Sequence, residues 1–158
     1  MQKFERAQFE IKEYVESNHY GKFEVQPLER GFGTTIGNAL RRVLLSSLPG
    51  AAVYSVKIEG VYHEFTSIPG VVEDVTNIIL NLKDLILMIS DDETYTLRIN
   101  AKGSKVVTGG DIECPANVEV LNKDLVIATL EEGAILEMEM KAKNGRGYVS
   151  ADQNKSLH

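Results

Sequence analysis

The sequence predicts an α+β chain, with a short hairpin-and-helix segment followed by a longer, mostly antiparallel β region. Three observations carry this. Two stretches repeat their apolar residues at helical spacing. Several short runs alternate apolar with polar residues and are separated by turn residues. The change from helical to strand period falls near Pro49-Gly50, which divides residues 1–50 from 51–158.

Each element follows from its pattern. Phe9 and Ile11, then Tyr14 and Val15, sit among Glu10, Lys12, Glu13 and Glu16 and predict a strand. Asn18-His19-Tyr20-Gly21 reads as a turn, and Phe23 and Val25 then alternate with Lys22, Glu24 and Gln26 up to Pro27, so the pair predicts a β-hairpin. After Glu29-Arg30-Gly31-Phe32-Gly33, either Thr34 or Thr35 can cap a helix, and Pro49-Gly50 stops it. At about 100° per residue, Ile36, Ala39, Leu40, Val43 and Leu44 fall on one face, and Asn38, Arg41 and Arg42 on the other. Tyr54, Val56 and Ile58 alternate with Ser55, Lys57 and Glu59 and predict a strand. Gly60 to Gly70 is mostly loop, with room for a short strand at Val61-Tyr62-His63.

Pro69-Gly70 opens a second helical pattern through Val71, Val72, Val75, Ile78, Ile79 and Leu82, with Glu73 and Asp74 in its first turn and Lys83 at its end. The β-branched content favours a strand, but the spacing is helical and decides the reading. The rest alternates or forms short apolar runs: Leu85–Ile89, Tyr95/Leu97/Ile99, Val106-Val107, Val118–Leu121, Leu125–Leu130 and Leu136/Met138/Met140. Asn144-Gly145-Arg146-Gly147 reads as a turn or loop.

Composition excludes several function classes. With 158 residues, 43% hydrophobic and 25% charged, the chain is neither disordered, collagenous nor a disulfide scaffold. No apolar run approaches the ~18 residues of a membrane span. Met-Gln-Lys-Phe-Glu-Arg is not followed by an apolar signal core, so a cytoplasmic location is expected. Seventeen basic against 23 acidic residues give a net charge of −6, which argues against gripping a phosphate backbone as the main task. Cys114 is the single cysteine, and His19, His63 and His158 are widely separated. No standard zinc spacing can be written, and no cofactor is expected.

Several motifs weaken under inspection. Gly31-x-Gly33-x-x-x-Gly37 before a helix invites a nucleotide-binding reading. Its third spacing is one residue too long for the dinucleotide fingerprint, the run before it contains Pro27, and no acidic residue stands about 20 residues on. The plainer reading is a tight turn into the helix at Gly31 and Gly33, with Gly37 permitting close packing. Asp91-Asp92-Glu93 reads as a solvated turn, since it lacks the alternate-position ligands of a calcium loop. Cys114-Pro115 lies in a loop with no base assigned to it, and His63-Glu64, being adjacent, would point to opposite faces of a strand.

Two leucines sit where polar residues are expected. Leu45 lies about 180° from Ile36, between Arg41 and Arg42 and beside Asn38. Leu80 lies about 180° from Val71, beside Glu73, Thr76 and Asn77. Single exposed leucines are normal. An apolar residue flanked by arginines is also the composition of an interface centre. The first helix therefore offers one apolar face for a core or a dimer, and a second face able to dock another protein.

The same residues carry a resemblance. Glu29-Arg30-Gly31-Phe32-Gly33-Thr34-Thr35-Ile36-Gly37-Asn38-Ala39-Leu40-Arg41-Arg42-Val43-Leu44-Leu45-Ser46-Ser47-Leu48-Pro49-Gly50 resembles the signature segment of the bacterial RNA polymerase alpha-subunit family. Further matches follow in order at His63-Glu64-Phe65, Gly70-Val71-Val72-Glu73-Asp74-Val75, Leu80-Asn81-Leu82-Lys83 and Gly145-Arg146-Gly147-Tyr148-Val149, so the likeness runs from about Phe4 to about Lys155.

The resemblance implies the amino-terminal domain of that family, a dimeric platform on which the two large catalytic subunits assemble for DNA-directed transcription. Residues 1–50 would be the first half of an α/β dimerisation part, here incomplete, and 51–158 the mostly antiparallel β part inserted into it, lacking its last strand. The resemblance places a beta-subunit contact at Arg41, Arg42 and Leu45, and a beta-prime contact at Asn77, Leu80 and Lys83. It places a dimer contact at Phe32, Ile36, Leu40 and Val43. It assigns no catalytic residue, because nucleotidyl transfer and its metal ions belong to the large subunits. Family members run on past the Gly-Arg-Gly-Tyr-Val segment into the second half of the dimerisation part and a DNA-binding carboxy-terminal domain. Ser156-Leu157-His158 ends this sequence earlier, so a fragment without direct DNA binding is expected. Two other expectations remain open at this stage: an autonomous nucleotide-binding enzyme using Gly31, Gly33 and Gly37, and a fragment that is inert or competes with the whole subunit.

Overall fold

A computed structural model describes residues 6–16 and 20–155. The chain divides into two units between Leu45 and Ser46.

In the first unit, β1 (Gln8–Val15) and β2 (Tyr20–Gln26) form an antiparallel hairpin, followed by α1 (Phe32–Ser46). The apolar residues of β1 do not keep a strict period of two, since Ile11 and Tyr14 are three apart. A register shift between Ile11 and Glu13 absorbs the extra residue, so Tyr14 stands opposite Gly21 as Ile11 stands opposite Phe23. Phe9, Ile11, Tyr14, Phe23 and Val25 thereby share one face. Gly21 is needed there, because a Cβ at that position would lie 2.8 Å from the Phe23 ring. On the other face Lys12 bridges Glu10 (2.6 Å) and Glu24 (3.3 Å), an exposed arrangement of small energetic weight. Asn18 and His19 of the expected turn lie outside the described residues, while Tyr20 and Gly21 open β2 instead of turning.

The second unit holds the core. Its main sheet has the order β5-β9-β3-β4-β7, all neighbours antiparallel, from β3 (Pro49–Ile58), β4 (Leu87–Ile89), β5 (Tyr95–Lys102), β7 (Val118–Val120) and β9 (Ile135–Arg146). β6 (Lys105–Thr108) and β8 (Val126–Leu130) form a separate antiparallel pair. α2 (Val75–Lys83) packs on β8 and β3, and a five-residue helix α3 (Ala151–Lys155) lies against β3. Ile78 of α2, Leu97 and Ile99 of β5, Ile127 of β8 and Met140 of β9 are fully buried. Each such side chain contributes roughly 1.5–3 kcal/mol of transfer free energy. The architecture is α+β with antiparallel sheets, as the alternation predicts.

Several boundaries differ from the sequence expectation. α1 begins at Phe32, whose N–H donates to the Glu29 carbonyl (3.1 Å). Thr34 and Thr35 are thus inside the helix and do not cap it. Gly31 makes the turn with φ +92°, a conformation that favours glycine. Pro49 and Gly50 do not merely stop the helix; they are the first residues of β3. Val61-Tyr62-His63 forms no strand.

Val71 and Val72 are not helical. Val71 bridges Leu130, the Val72 N–H donates to the Thr129 carbonyl (3.0 Å), and Gly70 turns the chain with φ +75°. Pairing with the end of β8 outweighs their helical spacing. Glu73 and Asp74 consequently precede α2, and Asp74 is its N-cap, accepting from the Asn77 N–H at 2.7 Å. Asn144, Gly145 and Arg146 continue β9 in register with Ala51, Gly50 and Pro49, because β3 offers them a partner strand.

Candidate protein-interaction surfaces

α1 carries the first surface. None of its residues is buried. Phe32, Leu40 and Val43 are each more than half exposed, Ile36 is half-buried, and Ala39 and Leu44 extend the same apolar arc. The opposite side carries Arg41, Arg42 and Leu45, all exposed. Leu45 at 70% is the most exposed large apolar residue of the helix. The predicted dimer residues and the predicted beta-facing residues therefore occupy two different sides of one helix, both open to solvent.

The glycine segment takes no nucleotide-binding geometry. β2 belongs to an antiparallel hairpin and not to a parallel strand–helix unit, and Gly33 and Gly37 lie within α1. Among the described residues a Cβ at Gly33 or Gly37 would meet nothing within 4 Å, so the close packing expected at Gly37 is not seen among them.

α2 carries the second surface. Val75, Ile78 and Leu82 fix its inner side in the core. Its two flanks are tied to different neighbours. The Asn81 side-chain amide donates to the Ile127 carbonyl of β8 (3.0 Å), and the Thr76 hydroxyl donates to the Glu64 carbonyl in the preceding loop (2.9 Å). What remains outward is a strip of Asn77, Leu80 and Lys83, with Leu80 half exposed. Lys83 stands in the last turn, where a cation suits the helix dipole. The structure brings these three predicted residues together on a rigidly held helix.

Three holding residues carry no sequence signal of their role. Glu73 accepts from both the Thr129 N–H (2.6 Å) and the Thr129 hydroxyl (3.0 Å), 56 positions away. Thr76 and Asn81 act over 12 and 46 positions. Tyr62 and Phe65 are also strongly exposed aromatics in the loop before α2; the sequence offers Tyr62 to a short strand and Phe65 to the match at His63-Glu64-Phe65, and assigns neither a contact.

The remaining candidates serve structure. Asp91 accepts from the Tyr95 hydroxyl (2.6 Å), the Asn117 amide (3.0 Å) and the Glu93 N–H (3.0 Å), and these bonds, the tyrosine's first, hold its carboxyl below the usual range. Asn144 closes the same turn by donating to the carbonyls of Ile89 and Asp91. Lys105 and the Thr108 N–H likewise lower Asp111. Cys114 is half-buried and its thiol is pushed up by burial, with Lys123 acting in the opposite sense, so it is not an activated nucleophile. His63 and Glu64 lie in the loop, where the Glu64 backbone supports Thr76. Among the described residues, no group of three or more His, Cys, Asp or Glu could hold a metal ion. No helix among them is long and apolar enough to cross a membrane.

Comparison with known proteins adds the context. Residues 56–158 match the family model of the RNA polymerase Rpb3/RpoA insert domain. The chain is 58% identical over 156 residues to the DNA-directed RNA polymerase subunit alpha of Alkaliphilus metalliredigens, covering 99% of this chain and 50% of that protein. It is 60% identical over 152 residues to the subunit of the same name from Symbiobacterium thermophilum, covering 96% and 48% respectively. It is 59% identical over 155 residues to that of Desulforamulus reducens, covering 98% and 49%. The chain thus spans about half the length of the curated relatives it matches.

Proposed function

We propose an assembly role for this chain, because it belongs to the bacterial RNA polymerase alpha-subunit family and presents two separate sets of outward-facing residues suited to protein partners. Residues 1–50 act as the first half of a dimerisation part, and 51–158 as the inserted β part. Phe32, Ile36, Leu40 and Val43 form the contact with a second alpha subunit. Arg41, Arg42 and Leu45 dock the beta subunit, and Asn77, Leu80 and Lys83 dock the beta-prime subunit. The chain is a scaffold for transcription in the cytoplasm. It contributes position to the nucleotidyltransferase complex.

The observation that carries this reading is α1 itself. A helix with an uncovered apolar arc on one side and a leucine between two arginines on the other can engage two different proteins at once. Arg supplies planar multidentate donors, and Leu45 supplies apolar area at the centre of that patch. The test is co-purification of the chain with separately expressed beta and beta-prime subunits. Arg42→Ala and Leu45→Ala should reduce capture of beta while leaving beta-prime unchanged, and Leu80→Ala with Lys83→Ala should do the reverse. Unchanged capture by all four variants would overturn the assignment of both strips.

A further inference from the structure

Asn144-Gly145 is the one Asn-Gly pair in the sequence, and the assembly role leaves it unused. Asparagine before glycine is the pairing most prone to lose its side-chain amide. Glycine puts no side chain in the way of its own backbone nitrogen and leaves the backbone free to turn. Every other asparagine of the chain precedes a residue with a side chain.

Two opposing tendencies meet at this pair. Asn144 itself is clamped. Its side-chain amide donates to the Ile89 carbonyl (3.2 Å) and to the Asp91 carbonyl (2.6 Å), which fastens the end of β9 to the turn after β4. Loss of the amide by cyclisation requires the side chain to fold back over the Gly145 nitrogen, so both bonds have to break first. The strand end around the pair is weak. Pro49 stands opposite Arg146 and has no N–H to give the ladder, and Gly50 stands opposite Gly145, so that pair has no side chains to pack. Pro49, Gly50, Gly145 and Arg146 are all exposed. The register of β5 with β9 stops at Ala142 and lends no support further on. A ladder end built this way opens locally at low cost, while Leu136, Met138, Met140 and Ala142 keep the rest of β9 in the core.

We propose that Asn144-Gly145 is a deamidation site gated by this strand end: slow while β9 is paired with Gly50 and Pro49, reactive when the last pairs open, and irreversible in its effect on the turn at Asp91. The Gly145 backbone nitrogen gives its proton to hydroxide and attacks Asn144 Cγ. The Cγ–Nδ2 bond breaks, and the nitrogen leaves as ammonia after taking a proton from water, which regenerates the hydroxide. The succinimide ring so formed is opened by water at either carbonyl, giving aspartate or isoaspartate. The net change is one water consumed and one ammonia released.

Neither product can restore the clamp. A carboxylate has no hydrogen to donate and would face two carbonyl oxygens. In isoaspartate the backbone is also longer by one carbon, so Gly145 and Arg146 lose their register against Gly50 and Pro49.

Peptide mapping by mass spectrometry on the whole chain, incubated at mildly alkaline pH with and without urea, tests this. Conversion at Asn144 should be at least about tenfold slower in the native chain than in the chain unfolded in urea, since it waits on a local opening. Urea well below the unfolding midpoint should leave the native rate nearly unchanged, because fraying of a strand end exposes little surface. Gly145→Ala adds a Cβ that meets nothing within 4 Å among the described residues, and should suppress conversion in both states. Asn144→Asp, which carries the product carboxylate from the start, should unfold at lower urea than the native chain. Equal rates in the native and unfolded chains would overturn the gate. No conversion in the native chain, or conversion that climbs with urea as steeply as global unfolding, would overturn the opening of the strand end. A native urea midpoint in Asn144→Asp would overturn the loss of the clamp.

Discussion

Replacing Leu45 with alanine separates interface energy from fold energy. Leu45 is 70% exposed, so roughly two-thirds of its side-chain surface is still available for a partner to cover. Burying a whole leucine side chain is worth about 1.5–3 kcal/mol, so the exposed portion is worth about 1–2 kcal/mol at an interface. That corresponds to beta-subunit binding weakened about 5- to 30-fold. The fold should hardly notice. Leu45 touches no buried residue cluster, and alanine is the better helix former by a few tenths of a kcal/mol. The assay pairs titration of labelled beta subunit against the chain with urea unfolding of the same variant. Weakened binding with an unmoved urea midpoint is the expected result. Leu40→Ala serves as the control on the other side of the helix and should weaken self-association instead. Native-like beta binding by Leu45→Ala would remove Leu45 from the contact. If Leu40→Ala cost the same beta affinity while the dimer stayed intact, the division of α1 into two faces would be refuted.

Other outcomes follow from the second unit. Glu73→Ala removes a carboxylate that accepts two hydrogen bonds from Thr129, at about 1.5–3 kcal/mol for each bond to a charged group before any relaxation. Its urea midpoint should fall at constant m-value by an amount equal to about 2–4 kcal/mol, and an unchanged midpoint would show that the clamp carries no weight. Gly70→Ala places a side chain at φ +75° and a Cβ 2.8 Å from that of Ala134, so a loss of about 1–3 kcal/mol is expected in thermal melts; full native stability would mean that this turn relaxes freely. Asp91 has a lowered pKa in the folded chain, so its stabilising contribution is fully present above the unfolded-state value. That contribution is lost as pH falls through the folded one. Urea midpoints measured from about pH 6 to about pH 3 should therefore slope less in Asp91→Asn than in the native chain, and parallel slopes would rule out this linkage.

How much was legible in the sequence depends on the range of the interaction that decides each feature. The alternation of Leu97 and Ile99, or of Leu136, Met138 and Met140, is a local signal, and these residues are buried as their period requires. The inner side of α2 is equally local, since Val75, Ile78 and Leu82 recur at helical spacing. Val71 and Val72 continue that spacing yet leave the helix, because Leu130 and Thr129 offer them backbone partners nearly 60 positions away. The same holds at the end of β9. There a turn-like Asn-Gly-Arg stays extended because Pro49, Gly50 and Ala51 lie alongside. Of the two surfaces, Leu45 and Leu80 could be found by their misplacement on a helical wheel. Glu73, Thr76 and Asn81, which hold α2 in place, could not, because their partners are set by the meeting of distant strands.

By itself, then, the sequence determined which side of each element is apolar, where the helical period gives way to strands, and that α1 must offer two unlike faces. These are properties of residue spacing, and spacing is fixed before the chain folds. Only the tertiary structure decided which apolar faces are covered. Residues from Ile58 to Ala142 find one another and close a core, while the apolar side of the hairpin and of α1 stays open to solvent. Periodicity records that a face is hydrophobic. Burial depends on whether another surface arrives to meet it, and among the described residues of the first unit none is buried.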